Sequence, residues 1–180
     1  MNPPMKKCIA ALAALFIFSV VYAQGVKVQI TPNTSVVFPA QPEKREQGHM
    51  TQYSLAHKDS FVLYTVLVVD HDPDGGYKGN GRSAAEEDDS FFDQSEVAFR
   101  RLLGTDARMI RREARTIYGK HAVYMEMERY MDGKQTLLSV LLLIESKYRI
   151  SMMHMDNSPE GDPDKKMFFS SLTIAGPGKK

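Results

Sequence analysis

The sequence predicts an α+β fold, an antiparallel β-sheet of about six to seven strands with helices packed on it. Three observations predict it. Four consecutive stretches between Arg108 and Met155 read as strands, alternating apolar and polar residues except where Thr136 to Ile144 is apolar on both faces. Short turn signals, not helical crossovers, join those stretches, so neighbouring strands run antiparallel. One segment, after Ser83, repeats its apolar residues at helical spacing instead.

The elements follow in chain order. Val26 to Ile30 alternates as a first strand and ends before Pro32; Val36-Val37-Phe38 is a short extended piece that Pro39 and Pro42 stop from continuing. Met50 to Ala56 and Ser60 to Val69 read as two strands joined by His57-Lys58-Asp59. The second places Phe61, Leu63, Leu67 and Val69 on one face and Val62, Tyr64, Val66 and Val68 on the other, the pattern of a strand covered on both sides.

Ser83-Ala84-Ala85-Glu86 fits a capping box, and Glu86, Glu87, Asp88 and Asp89 sit where a helix dipole favours negative charge. Phe91, Phe92, Ser95, Ala98, Phe99, Leu102 and Leu103 supply the apolar face, and Gly104 the C-cap. Strands are then expected over Arg108–Tyr118, His121–Met131, Gln135–Ile144 and Lys147–Met155, with turns at Tyr118-Gly119-Lys120 and Asp132-Gly133. Thr136 to Ile144 is apolar on both faces and belongs in the middle of the sheet. Asp162-Pro163 reads as an N-cap with proline at the first helical position, opening a short helix through Phe168-Phe169; Leu172-Thr173-Ile174 closes as a small strand.

Three segments carry a family pattern. "VVFPAQPEKREQGHMTQYSLAHKDSFVLYTVLVVD" is similar to the opening of PsbP/Mog1-like domains, with its extended Phe-Pro-x-x-Pro piece followed by two strands. "GKHAVYMEMERYMDGKQTLLSVLLLIESKYRISMMHM" resembles their three-strand meander, and "DKKMFFSSLTI" their closing helix and last strand. The likeness runs through most of Val36 to Ile174. It implies an α/β/α sandwich and, by analogy, an accessory or binding module; members include photosystem subunits, a nuclear-transport factor and bacterial envelope lipoproteins. They share no catalytic residues to carry over, and fold alone does not assign function.

The N-terminus gives an address. Lys6 and Lys7 precede an apolar run from Ile9 to Val21, and Val21-Tyr22-Ala23 offers small residues at the two positions a signal peptidase reads. Residues 1–23 are therefore expected to be a secretory signal removed after Ala23, leaving a periplasmic or secreted chain. The run is short for a membrane anchor, which needs about 20 residues. Cys8, the sole cysteine, lies before the apolar run, poorly placed for lipidation, and departs with the signal. The mature chain then has no disulfide, thiolate ligand or cysteine nucleophile. It divides into an N-terminal extension over 24–35, a single domain over 36–174 and a tail over 175–180. The 23 basic and 22 acidic residues nearly cancel, a balance that selects against nucleic acid and anionic membranes as partners.

Four constellations merit weighing. Asp70, Asp72, Asp74 and Gly75 match the start of a calcium loop, but Gly81 stands where the bidentate glutamate belongs, Lys78 falls among the ligands, and a strand precedes the loop. No metal is favoured; a polar turn accounts for most of these residues. Met152, Met153, His154 and Met155, with Met125 and Met127, offer soft ligands for Cu(I), yet period two splits them between faces and methionine is a ready core filler. Arg100 and Arg101 suit a helix C-terminus. Arg108, Arg111, Arg112 and Arg115 continue the basic segment and, with Tyr77 in the preceding loop, are the partner-contact candidates. His49, His57, His71, His121 and His154 lack metal-ligand spacing, and there is no Gly-x-Ser-x-Gly, His-Glu-x-x-His or phosphate loop.

The expectation is an exported, non-catalytic accessory or binding module without cofactor, contacting another protein of the envelope. Two alternatives stay open: a carrier of a small apolar ligand between sheet and helix, and a hydrolase whose site is assembled in space.

Overall fold

The computed structural model describes residues 25–57, 61–72, 84–131, 133–157 and 161–175. Among these residues ten strands and two helices run β1 (Val26–Gln29), β2 (Thr34–Phe38), β3 (Glu43–Gln47), β4 (Met50–His57), β5 (Val62–Asp70), α1 (Ala84–Leu103), β6 (Arg108–Ile117), β7 (Lys120–Met131), β8 (Lys134–Glu145), β9 (Tyr148–Asp156), α2 (Asp164–Ser170) and β10 (Thr173–Ile174). A seven-stranded antiparallel sheet has the order β3-β4-β5-β9-β8-β7-β6, and a separate three-stranded sheet the order β1-β2-β10.

Two-residue connections set the register of the meander. Ile117 pairs with Lys120 across Tyr118-Gly119, and both turn residues have positive φ (49° and 74°), as a tight hairpin of this twist requires. Met131 pairs with Lys134 across a second two-residue turn. β8 lies between β7 and β9, and its residues from Leu138 to Glu145 are all buried, as its two-sided apolar pattern predicts.

The two faces of the large sheet bury different partners. On one, Phe92, Phe99 and Leu103 of α1 pack on Met125 and Met127 of β7 and Leu138, Val140 and Leu142 of β8. On the other, Val36 and Phe38 of β2 and Phe168 of α2 cover Tyr64, Val66, Leu141 and Met152. Each cluster excludes water from ridges of the pleat that the sequence makes apolar, and this burial is the main stabilising term. A buried carboxylate fastens the small sheet: Glu145 Oε2 accepts hydrogen bonds from the hydroxyls of Thr31 (2.9 Å) and Thr34. Ser171 links α2 to β2, its Oγ donating to Phe168 O (2.7 Å) and accepting from Val37 N (2.8 Å).

Several expectations change. β3 (EKREQ) is a strand that periodicity does not reveal, because all five residues are exposed and none is apolar. It forms by pairing with β4, from Glu43–Ser54 to Gln47–Met50. The stripe of α1 is narrower than expected: Ala98 and Leu102 face solvent, while Phe92, Phe99 and Leu103 are buried. Leu63, Leu67 and Val69 of β5 stay only half-buried, because α1 lies over β7 and β8. Ser83 lies outside the described residues, so its capping box does too. Gly104 does cap α1, its N–H donating to Arg100 O at 2.9 Å.

Candidate functional site

β6 is the last strand of its sheet, and its arginines do not alternate simply. A bulge between Met109 and Arg111 shifts the register, so that Arg108 lies opposite Glu128, Met109 opposite Met127 and Arg111 opposite Glu126. Arg111, Glu113 and Arg115 therefore share the face on which α2 sits, while Arg112 goes to the face of α1. There it pairs with Asp93 (2.7 Å) and Glu96 (3.3 Å). Arg108 is engaged by the buried Glu128. Of the four arginines expected as partner contacts, only Arg111 and Arg115 converge on a common space. Tyr77 lies outside the described residues.

That space is an open groove of about 480 Å³ between β6, β7 and α2, a size compatible with a small ligand or a few partner side chains. Ile117, Leu141 and Phe169 provide its apolar surface; Arg111 and Arg115 line one side, and Lys165 and Lys166 the other. Tyr124 joins them. Its ring lies under the Arg115 guanidinium (4.2 Å) and meets Phe169 edge-on at 5.8 Å.

Electrostatic partners organise these charges. Glu113 takes both guanidinium groups, from Arg111 Nε at 2.5 Å and Arg115 Nη2 at 3.0 Å, and they hold its carboxyl below the usual value. Glu126 Oε1 accepts from Tyr124 OH (2.6 Å) and Lys165 Nζ (2.9 Å). Burial raises its pKa, but those donors outweigh burial and leave it lowered. Burial and the adjacent carboxylate push the Tyr124 phenol up to about 12, so it stays protonated and donates.

Asp162, which also lines the groove, is held from three directions. Its Oδ2 accepts from Tyr64 OH and lies 2.8 Å from His154 Nε2, while its Oδ1 accepts from Asp164 N at 3.2 Å. Burial opposes ionisation of Asp162, yet the three donors together bring its pKa below the ordinary carboxylate value. The ionised carboxylate only accepts, so His154 Nε2 carries the proton. Burial lowers the His154 pKa despite Asp162, and its Nδ1 has no hydrogen-bond partner. Pro163 already has helical dihedrals (φ −63°, ψ −29°), so Asp162 acts as the N-cap that the Asp-Pro pair predicts, although the helix proper begins one residue later. His154 is fully buried. The Tyr64–Asp162–His154 cluster thus anchors α2 to β5 and β9 and offers the groove no exposed base.

The other candidates are dispersed. Lys147 Nζ binds Asp70 Oδ2 (2.8 Å) and the Asp72 carbonyl (3.1 Å), placing an ammonium where the calcium reading needs a cation. Burial raises the Asp70 pKa, but Lys147 and the Asp72 amide leave it lowered. Asp74 and Gly75 lie outside the described residues. Among the described residues, no three His, Cys, Asp or Glu side chains are grouped to hold a metal ion. Met125, Met127, Met153 and Met155 pack beneath α1, whereas Met152 belongs to the opposite core, on the face of its alternate neighbour His154. The sequence reading missed Tyr124, Glu126, Lys165, Lys166 and Phe169 as groove residues. The Tyr-x-Glu spacing places Tyr124 and Glu126 on one face, but nothing local says that α2 crosses it.

No protein-family model and no curated protein matches the chain in sequence. Solved structures match its fold. Cyanobacterial PsbP from Synechocystis sp. PCC 6803 superimposes with a TM-score of 0.51 at 15% identity, covering 84% of this chain and 93% of that one. A protein of unknown function from Pseudomonas aeruginosa gives 0.49 at 13% identity, over 86% of this chain and 99% of the other. A protein from Bacteroides thetaiotaomicron gives 0.47 at 12% identity over 87% of this chain, which spans 51% of that longer protein. The chain has a PsbP-like fold, as the three sequence segments implied.

Proposed function

We propose that the chain is an exported, non-catalytic accessory module of the cell envelope that binds another protein through the face formed by β6 and α2. The groove there carries the proposal. It sets Arg111, Arg115, Lys165 and Lys166 around an aromatic and aliphatic floor, the combination of apolar anchor and charged rim that protein interfaces use. Its two carboxylates are occupied as acceptors, and the one histidine of the neighbouring cluster is sealed beneath Asp162. These features support recognition over acid–base chemistry. The packing also supports reading the layers as the α/β/α sandwich of this fold, with the small sheet sharing the α2 side.

The carrier reading has less support, since aromatic, leucine and methionine side chains fill the described space between α1 and the sheet. No helix among the described residues is long and apolar enough to cross a membrane. Export rests on the signal pattern over residues 1–23. Crosslinked affinity capture from the native envelope tests the proposal. A protein partner whose crosslinks map to β6 and α2 is expected, on a chain whose mass begins at Gln24. Full-length chain in the cytoplasm, or capture of no partner, would overturn it.

A further inference from the structure

The two edges of the large sheet differ. β3 is five residues long and balances its charges within itself, Lys44 on Glu46 at 2.5 Å and Arg45 on Glu43 at 3.0 Å. Such a short, self-neutralised strand is a protected edge. β6 is ten residues long, carries four arginines against one glutamate, and leaves Ile110 49% exposed at its bulge. Among the described strands it ends the sheet, so its outward amides and carbonyls have no neighbouring strand. The groove opens directly beside it, on the face of Arg111, Glu113, Arg115 and Ile117.

We infer that β6 is the docking strand of this module, and that its occupant is an extended acidic segment of a partner protein, added as an eighth strand. This rests on the protein-binding reading above and names the partner's chemistry. Backbone pairing with β6 would supply affinity without sequence preference, while alternate side chains facing α2 would supply the selection. An added strand brings its side chains about 5 Å from those directly opposite. Residues opposite Arg111 and Arg115 are therefore acidic and four apart, with a polar or basic residue between them opposite Glu113. Two residues further, opposite Ile117, an apolar side chain reaches the surface made with Leu141 and Phe169. A second copy of β6 suits this edge poorly, because it would bring a strand of the same net positive charge alongside.

Glu113 gives the proposal an internal control. It now neutralises both arginines, so it competes with an incoming carboxylate. The test is selection of random twelve-residue displayed peptides on the purified chain, followed by fluorescence anisotropy of the enriched sequences. Peptides with acidic residues four apart in an alternating, β-prone context are expected. Their binding should weaken with salt, fall about tenfold or more in the Arg111→Glu/Arg115→Glu double variant, and tighten in Glu113→Gln. Should the double variant misfold, Arg111→Gln/Arg115→Gln replaces it, with the same direction of loss. Hydrogen exchange should show new protection of β6 amides on binding.

Enrichment of apolar or basic peptides, binding indifferent to both arginine variants, or a dimer through β6 in sedimentation would each overturn the inference. Envelope capture of a partner crosslinked away from β6 and α2 also overturns it, but leaves the broader protein-binding role standing. Failure of both capture and peptide selection would remove the two together.

Discussion

His154 Nε2 lies 2.8 Å from Asp162 Oδ2, joining the centre of the sheet to the residue that starts α2. The same carboxylate caps the Asp164 amide and accepts the Tyr64 hydroxyl. One side chain therefore sets where α2 begins and how it lies over β5 and β9. Because Lys165 and Phe169 ride on that helix, the groove inherits its geometry from a contact made behind it.

Replacing Asp162 with alanine removes a cap and strands two buried donors. We expect a loss of about 2–4 kcal/mol in urea unfolding. Asp162→Asn, which keeps an acceptor oxygen, should lose less. Equal losses for the two would show that the cluster does not hold the helix.

Acidification acts on the same cluster with a definite sign. The folded state lowers the His154 pKa, so below the ordinary histidine value of 6.5 the unfolded chain binds more protons and stability falls with pH. Asp162, also lowered, contributes stability that is present above the ordinary aspartate value of 3.8 and lost below it. Unfolding midpoints should therefore decline as pH drops below 6.5, and His154→Gln should flatten the first part of that decline. An unchanged slope in His154→Gln would place the titration elsewhere.

Gly104 ends α1 at φ 128°, and a Cβ there would meet the Arg129 guanidinium at 2.5 Å. Arg129 is not free to retreat: its Nη1 donates to Leu103 O at 2.9 Å and its Nε lies 2.7 Å from Asp106. Gly104→Ala should cost about 1–3 kcal/mol through backbone strain and the displaced arginine. Thermal unfolding checks it, and a neutral result would mean that the turn can re-form with negative φ.

Phe168 is fully buried, with its ring edge-on to Phe38 and Tyr64, each at 5.2 Å. Phe168→Ala should destabilise by about 3–5 kcal/mol, and Phe168→Leu by clearly less. A loss in the alanine variant below about 1 kcal/mol, the level of an ordinary surface change, would argue that α2 is only loosely attached.

Much of the architecture is readable from local pattern. Tyr118-Gly119 and Asp132-Gly133 announce their hairpins because each places glycine where positive φ is needed. The two-sided apolar run of β8 announces its place inside the sheet, and Asp162-Pro163 announces a helix start. β3 was not readable, because a charged strand at a sheet edge is held by backbone pairing to β4 and leaves no apolar trace.

The groove was not readable either. The basic segment is visible in the sequence, but period two alone would pair Arg108 with Arg112 on one face. The bulge beside Ile110 moves Arg112 to α1 and aligns Arg108 with Arg111 and Arg115. Tyr124 joins Lys165 through Glu126 only after the chain returns across the whole meander.

The sequence by itself determined the α+β class, the antiparallel meander and the two described helices, because period, caps and turns act within a few residues. The tertiary structure decided which arginines share a face, which carboxylates neutralise them and that α2 walls a groove beside an open edge. Those outcomes depend on one bulge and on contacts between residues far apart in the chain, and neither leaves a periodic mark in the sequence.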